Sequence, residues 1–198
     1  MRSLTKILST SPLPADLSRL GCDGVETARA AEAVSFCDNG IPARHIFLHT
    51  DELERAEICA VQGKCRYLVS SPRALSALDQ AMDGALPAGY LEPVGLCIGT
   101  DGFARDTPAL SAAVRKTKNL TLRYVFLSLE DAPAPSLAAR EAFSFVKQLR
   151  ADVPCMLHGF CLGGLIFPLA QGDVELAETL QMLAALNDSS LYADFFIS

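Results

Sequence analysis

The sequence predicts an α/β protein, a closed parallel (β/α)8 barrel forming one domain over residues 1–198. Short apolar runs alternate with longer amphipathic stretches along the whole chain, and alternation at roughly 20 to 35 residues per unit is the pattern of a parallel sheet covered by helices. There are eight such runs, which favours a closed barrel over an open doubly wound sheet. At 198 residues, half of them hydrophobic and one fifth charged, the chain is large enough to bury a full core.

The strand candidates are 4–9, 24–28, 45–50, 66–71, 93–100, 122–129, 154–160 and 192–197, each short and apolar enough to be buried on both faces. Helices are expected at 15–20, 28–37, 51–62, 72–82, 110–118, 136–150 and 174–187, where apolar residues recur at three and four. Ser71, Ser136 and Asp173 stand where N-caps are needed. The Pro- and Gly-containing stretches 84–89 and 131–135 read as loops within this order rather than domain linkers.

Composition narrows the function. The net charge of −6, with no Lys/Arg run, gives no footprint for nucleic acid. The seven cysteines form no CxxC pair and no metal-type spacing, so they read as small buried thiols of a reducing compartment, with no metal site expected. No signal-peptide order opens the chain, and no apolar run reaches the ~20 residues of a membrane helix, so a cytoplasmic location is expected.

Barrel chemistry gathers at the carboxyl ends of strands. The positions to inspect are therefore Lys6, Glu26, His49, Ser70, Ser71, Thr100, Asp101, Leu127, Glu130, His158 and the Gly163-Gly164 pair. Among the histidines, His45 reads as a surface residue, and His49 and His158, both near strand carboxyl ends, as structural or solvent-facing ones. The acidic stretch 51–56 reads as a solvated helix face. Gly159-Phe160-Cys161-Leu162-Gly163 fits a G-x-C-x-G nucleophile elbow and resembles dienelactone hydrolases. Against that hydrolase reading, every histidine precedes Cys161 and only 37 residues follow it.

A longer resemblance runs through most of the chain. Gly21 follows Lys6 by 15 residues, Gly24-Val25-Glu26-Thr27-Ala28 precedes Glu32, and Gly40-Ile41-Pro42 leads into His45-Ile46-Phe47. Val69-Ser70-Ser71 opens a helix, and Gly95-Leu96-Cys97-Ile98-Gly99-Thr100-Asp101 forms a strand and its exit. In this order the segments resemble the barrel of the ornithine/diaminopimelate/arginine (group IV, fold-type III) pyridoxal-phosphate decarboxylases, an alanine-racemase-like barrel, with ornithine decarboxylase the nearest pattern. The resemblance implies that Lys6 is the catalytic lysine forming the Schiff base with pyridoxal 5'-phosphate and that Glu26 is a polar neighbour of the cofactor. It also implies that Gly163 and Gly164 hold the phosphate and that Asp101 contacts substrate.

The departures fall in the same region. Leu127 stands where that family has a histidine stacked on the cofactor ring, Cys97 replaces an arginine, Leu129-Glu130 replaces a Gly-Ser pair, and Leu165 takes a glycine position. The family's terminal Glu-Pro-Gly-Arg motif and its carboxyl-terminal β-domain are expected to be missing. The implied function is an ornithine-decarboxylase-like barrel, related to conversion of ornithine to putrescine in polyamine synthesis and impaired when alone. The other reading is a catalytically silent homologue that binds a protein partner, as antizyme inhibitors do. A homodimer, or a second chain supplying missing groups, is the expected partner beside a small amino-acid substrate.

Overall fold

The computed structural model describes residues 5–9, 24–99, 103–128, 135–153, 159–163 and 194–197. Eight parallel strands close into a barrel in chain order. They are β1 (Thr5–Ser9), β2 (Gly24–Thr27), β3 (Ile46–His49), β4 (Arg66–Val69), β5 (Glu92–Ile98), β6 (Leu120–Ser128), β7 (Gly159–Gly163) and β8 (Asp194–Ile197). Closure is made by β8 on β1, with Thr5 opposite Phe196 and Lys6 opposite Ile197. The sequence-predicted α/β barrel is the observed one. Among the described residues no helix is long and apolar enough to cross a membrane.

The helices α1 (Ala30–Asp38), α2 (Arg55–Ala60), α3 (Pro72–Ala81), α4 (Thr107–Arg115) and α5 (Pro135–Asp152) lie on the crossovers. Ser71 caps α3 as expected, its hydroxyl accepting from Ala74 N at 3.1 Å, with Pro72 in the first turn where its missing N–H costs nothing. Asp106 caps α4 in the same way, accepting from Ala109 N at 3.1 Å, so this helix begins three residues before the predicted 110. Ser136 is not a cap: it lies one residue inside α5, which opens at Pro135. The helix predicted over 51–62 shrinks to α2 because the Asp51 carboxylate instead accepts from Ser70 N at 3.0 Å, tying the β3 exit to the β4 exit. The seventh strand, predicted over 154–160, is Gly159–Gly163. The expected helices 15–20 and 174–187 and the Asp173 cap lie outside the described residues.

Two apolar clusters divide the core by strand parity, since alternate side chains of a strand face opposite ways. Val25, Ile46, Leu48, Tyr67, Val69, Leu96, Ile98, Val125 and Leu127 pack outward against Ala33, Ile58, Leu75, Leu78, Leu110 and Val146 of the helices. Phe47, Leu68, Cys97, Tyr124 and Phe126 form a second cluster made only of strand residues, the filling of the barrel interior. Phe47 meets Tyr124 and Phe126 edge to face, with ring centroids 5.8 and 4.9 Å apart. Gly95 permits this packing, because a Cβ there would collide with Leu68 Cδ2 and press on Tyr124 Cβ.

Candidate functional site

The strand alternation that fills the interior also selects what reaches its carboxyl-terminal mouth. On β2 the inward row carries Glu26, which pairs with Phe47 on β3. Two residues beyond Phe47 comes His49, and on β5 Cys97 follows Gly95 at the same interval. β3 and β5 are alternate strands, whose side chains share layers inside a barrel, so His49 and Cys97 meet across β4. The three residues lie 23 and 48 positions apart in sequence yet form one connected chain.

His49 stands at its centre. Its Nε2–H donates to Glu26 Oε1, and its Nδ1 lies 4.0 Å from Cys97 Sγ. Burial works against charge on the imidazole, but its hydrogen bonds to Cys97 and Glu26 outweigh that and hold its pKa up at about 10. Burial raises the Cys97 thiol, while the hydrogen bond and charge of His49 pull it the other way. Glu26 is mostly enclosed, with 13% of its side chain exposed against 31% for His49. The arrangement gives His49 a fixed ring orientation, with a carboxylate on one nitrogen and a thiol on the other.

Polar contacts brace the strand ends around this chain. Thr27 Oγ1 donates to Glu32 at 2.5 Å, and Arg29 also pairs with Glu32 at 3.3 Å, fixing the β2–α1 turn beyond Glu26. Thr50 Oγ1 donates to Leu68 O at 3.1 Å, and Ser70 Oγ donates to Asp51, so the exits of β3 and β4 are cross-linked next to His49. Among the described residues no group of three or more His, Cys, Asp or Glu is placed to hold a metal ion.

The residues singled out from sequence divide as follows. Glu26 is at the mouth. Lys6 lies on β1 and Gly163 ends β7, and both strands flank β8, where Ile197 is paired with Lys6 and with Leu162. On its other side β1 pairs Ile7 with Gly24, Leu8 with Val25 and Ser9 with Glu26, so Lys6 stands one residue before the partner of Gly24, at the parity of Leu8 and Val25 rather than that of Glu26. Gly164, Asp101 and His158 lie outside the described residues.

Several expectations are corrected. Leu127 packs outward among helix-facing residues, and the interior residue at that level is Phe126. The elbow reading of Cys161 fails on backbone geometry: Gly159–Gly163 is continuous strand, with Cys161 paired to Phe126 and Phe196, where an elbow needs a sharp strand-to-helix turn at the nucleophile. His45 ends a 3-10 turn before β3 rather than starting the strand. His49, read as structural or solvent-facing, is the hub of the site. The cysteines are not uniformly buried, since Cys59 is exposed. Sequence reasoning inspected His49 without giving it a chemical role and took Cys97 only as a replacement for an arginine, so the pairing of the two was missed. Their signal was the shared parity with Phe47 and Gly95 close to two strand ends.

No family model and no curated protein matches the sequence. Solved structures do. Lysine decarboxylase from Selenomonas ruminantium is 16% identical with a TM-score of 0.73, the match covering 98% of this chain and 54% of that one. Diaminopimelate decarboxylase from Helicobacter pylori, complexed with L-lysine, is 16% identical with a TM-score of 0.68, covering 92% of this chain and 52% of that one. Lysine/ornithine decarboxylase from Vibrio vulnificus, complexed with putrescine, is 13% identical with a TM-score of 0.68, covering 98% and 56%. At these identities the likeness establishes the fold, an alanine-racemase-like barrel. The chain spans about half the length of these structures.

Proposed function

We propose that this chain is a pyridoxal-phosphate-binding barrel of the basic-amino-acid decarboxylase type, ornithine-decarboxylase-like in its sequence pattern. The observation that carries the reading is the placement of Lys6, Glu26 and Gly163 on one arc of the closed barrel, β7–β8–β1–β2. An amine, a carboxylate and a glycine strand end are the donor set that such a cofactor needs, so the residues present fit it in kind. Lys6 is the anchoring amine, Gly163 and Gly164 offer backbone N–H groups to the phosphate, and Glu26 sets the polarity beside the ring. Asp101 is assigned to the substrate amine. When bound, the cofactor supplies the electron sink for breaking a carbon–carbon bond. The chain's own part is to hold His49 charged against Glu26 and to close the space beneath with Phe47 and Phe126. A dimer or a second chain completes the mouth, and the protein works in the cytoplasm.

Titration of the purified chain with pyridoxal phosphate tests this. Visible absorbance absent from the free cofactor, fixed by borohydride onto the Lys6 peptide and lost in Lys6→Ala, is the expected result. Folded protein with no such band sinks the cofactor reading and favours a catalytically silent barrel that binds a protein partner. One observation favours that second reading: aromatic side chains fill the interior up to the level of Cys97.

A further inference from the structure

We infer that Cys97, His49 and Glu26 form a nucleophile, base and orienting carboxylate, and that this mouth takes acyl groups from small activated esters or thioesters onto the Cys97 sulfur. The inference goes beyond the cofactor reading and does not depend on it.

Nucleophilic catalysis by a thiol requires a base within reach of the sulfur and a third group that fixes the base. All three are present on three rigid strands rather than on loops. His49 uses different nitrogens for its two partners, Nδ1 facing the sulfur 4.0 Å away and Nε2 donating to Glu26, so one ring orientation serves both. That division of the nitrogens is what the reaction needs, because the carboxylate stabilises the imidazolium formed when the thiol gives up its proton. The interior below is occupied by Phe47, Leu68 and Phe126, so a substrate approaches from the mouth and its acyl part has to be short.

The step balances within these groups and water. The reacting pair is the Cys97 thiolate beside His49 protonated on both nitrogens, the thiol proton already resting on Nδ1, and the sulfur bonds to the carbonyl carbon. The bond from that carbon to the leaving oxygen or sulfur breaks, and the leaving group takes the proton from His49. Water then cleaves the thioester, releasing the acid and restoring the thiol.

Cys65 and Cys59 provide internal comparisons. Cys65 is as buried as Cys97, but its sulfur hydrogen-bonds to the Val61 carbonyl 3.8 Å away instead of a histidine, and burial pushes its pKa up to about 12. Cys59 is exposed, and among the described residues its sulfur hydrogen-bonds to the Ala81 carbonyl rather than to a histidine. The experiment is single-turnover acetylation by p-nitrophenyl acetate of the whole chain without pyridoxal phosphate, with each cysteine followed by peptide mapping. Cys97 is expected to acquire acetyl faster than Cys59 and at least about tenfold faster than Cys65. His49→Gln should slow Cys97 about a hundredfold without changing the rate at Cys59. Glu26→Gln, which keeps a hydrogen-bond acceptor for the ring, should slow it less and serves as the second variant if His49→Gln does not fold. Acetyl on Cys59 but not Cys97 in folded protein, or an unchanged Cys97 rate in Glu26→Gln and His49→Gln, overturns the inference. Because cofactor is absent, neither result bears on whether Lys6 binds it.

Discussion

The two ends of the barrel treat buried polar groups in opposite ways. At the mouth, Glu26, His49 and Cys97 satisfy one another in a chain. At the floor, Arg66 and Glu92 line an open cavity of about 630 Å³ with Cys59, Cys65, Gln62 and Tyr90. The Arg66 Nε is buried without a hydrogen-bond partner, its guanidinium 5.6 Å over the Tyr124 ring. Glu92 is only 5% exposed, and burial raises its carboxyl pKa against the opposing pull of Arg66. A partnered group at the mouth thus favours charge, and a desolvated one at the floor disfavours it. Burial alone does not set ionisation. What decides it is whether the strand register delivers a partner.

The largest effect should come from the layer separating the ends. Phe47→Ala removes the ring that packs on Tyr124 and Phe126 and should destabilise the fold by about 3–5 kcal/mol, seen in urea unfolding as a lower midpoint. A change under about 1 kcal/mol there would show that the interior is not a packed layer. Gly95→Ala should cost about 1–3 kcal/mol, because the added carbon has to displace Leu68 or Tyr124.

The pH dependence of stability should separate the ends. His49 is raised from 6.5 to about 10 on folding, so its contribution is complete below pH 6.5 and is lost as pH rises through 10. His49→Gln should therefore flatten the alkaline side of the stability profile, measured by urea unfolding between pH 6 and pH 10. Glu92 is also raised, so its contribution is complete below the ordinary carboxylate range and is lost as pH climbs through its higher folded value. Glu92→Gln should remove that loss on raising the pH and stabilise the chain at neutral pH by on the order of 1 kcal/mol. Loss of stability in Glu92→Gln at neutral pH would mean the floor is an ion pair in function, and the contrast between the ends would fall. The smallest effect lies outside both ends: Ser71→Ala should cost about 1 kcal/mol through the lost cap of α3, with no change in either pH dependence.

Much of this was legible without coordinates. Eight apolar runs with amphipathic stretches between them gave a closed barrel, since strands buried on both faces and helices buried on one leave different periodicities in the chain. The Ser71 cap was readable because capping is a contact over three residues. Boundaries shifted where a distant group competed, as when Asp51 turned from a helix face to the exit of β4. Leu127 was taken for a site residue because aligned order does not reveal parity, and one residue separates the packed outer face from the interior.

The sequence by itself determined the architecture and the residue types available at strand ends, because propensity and hydrophobic period are local properties. Only the tertiary structure decided that Glu26, His49 and Cys97 touch, because their contact depends on barrel closure, on the stagger between β2, β3 and β5, and on the space around Gly95. Those quantities are set jointly by all the strands, and no window of the chain contains them.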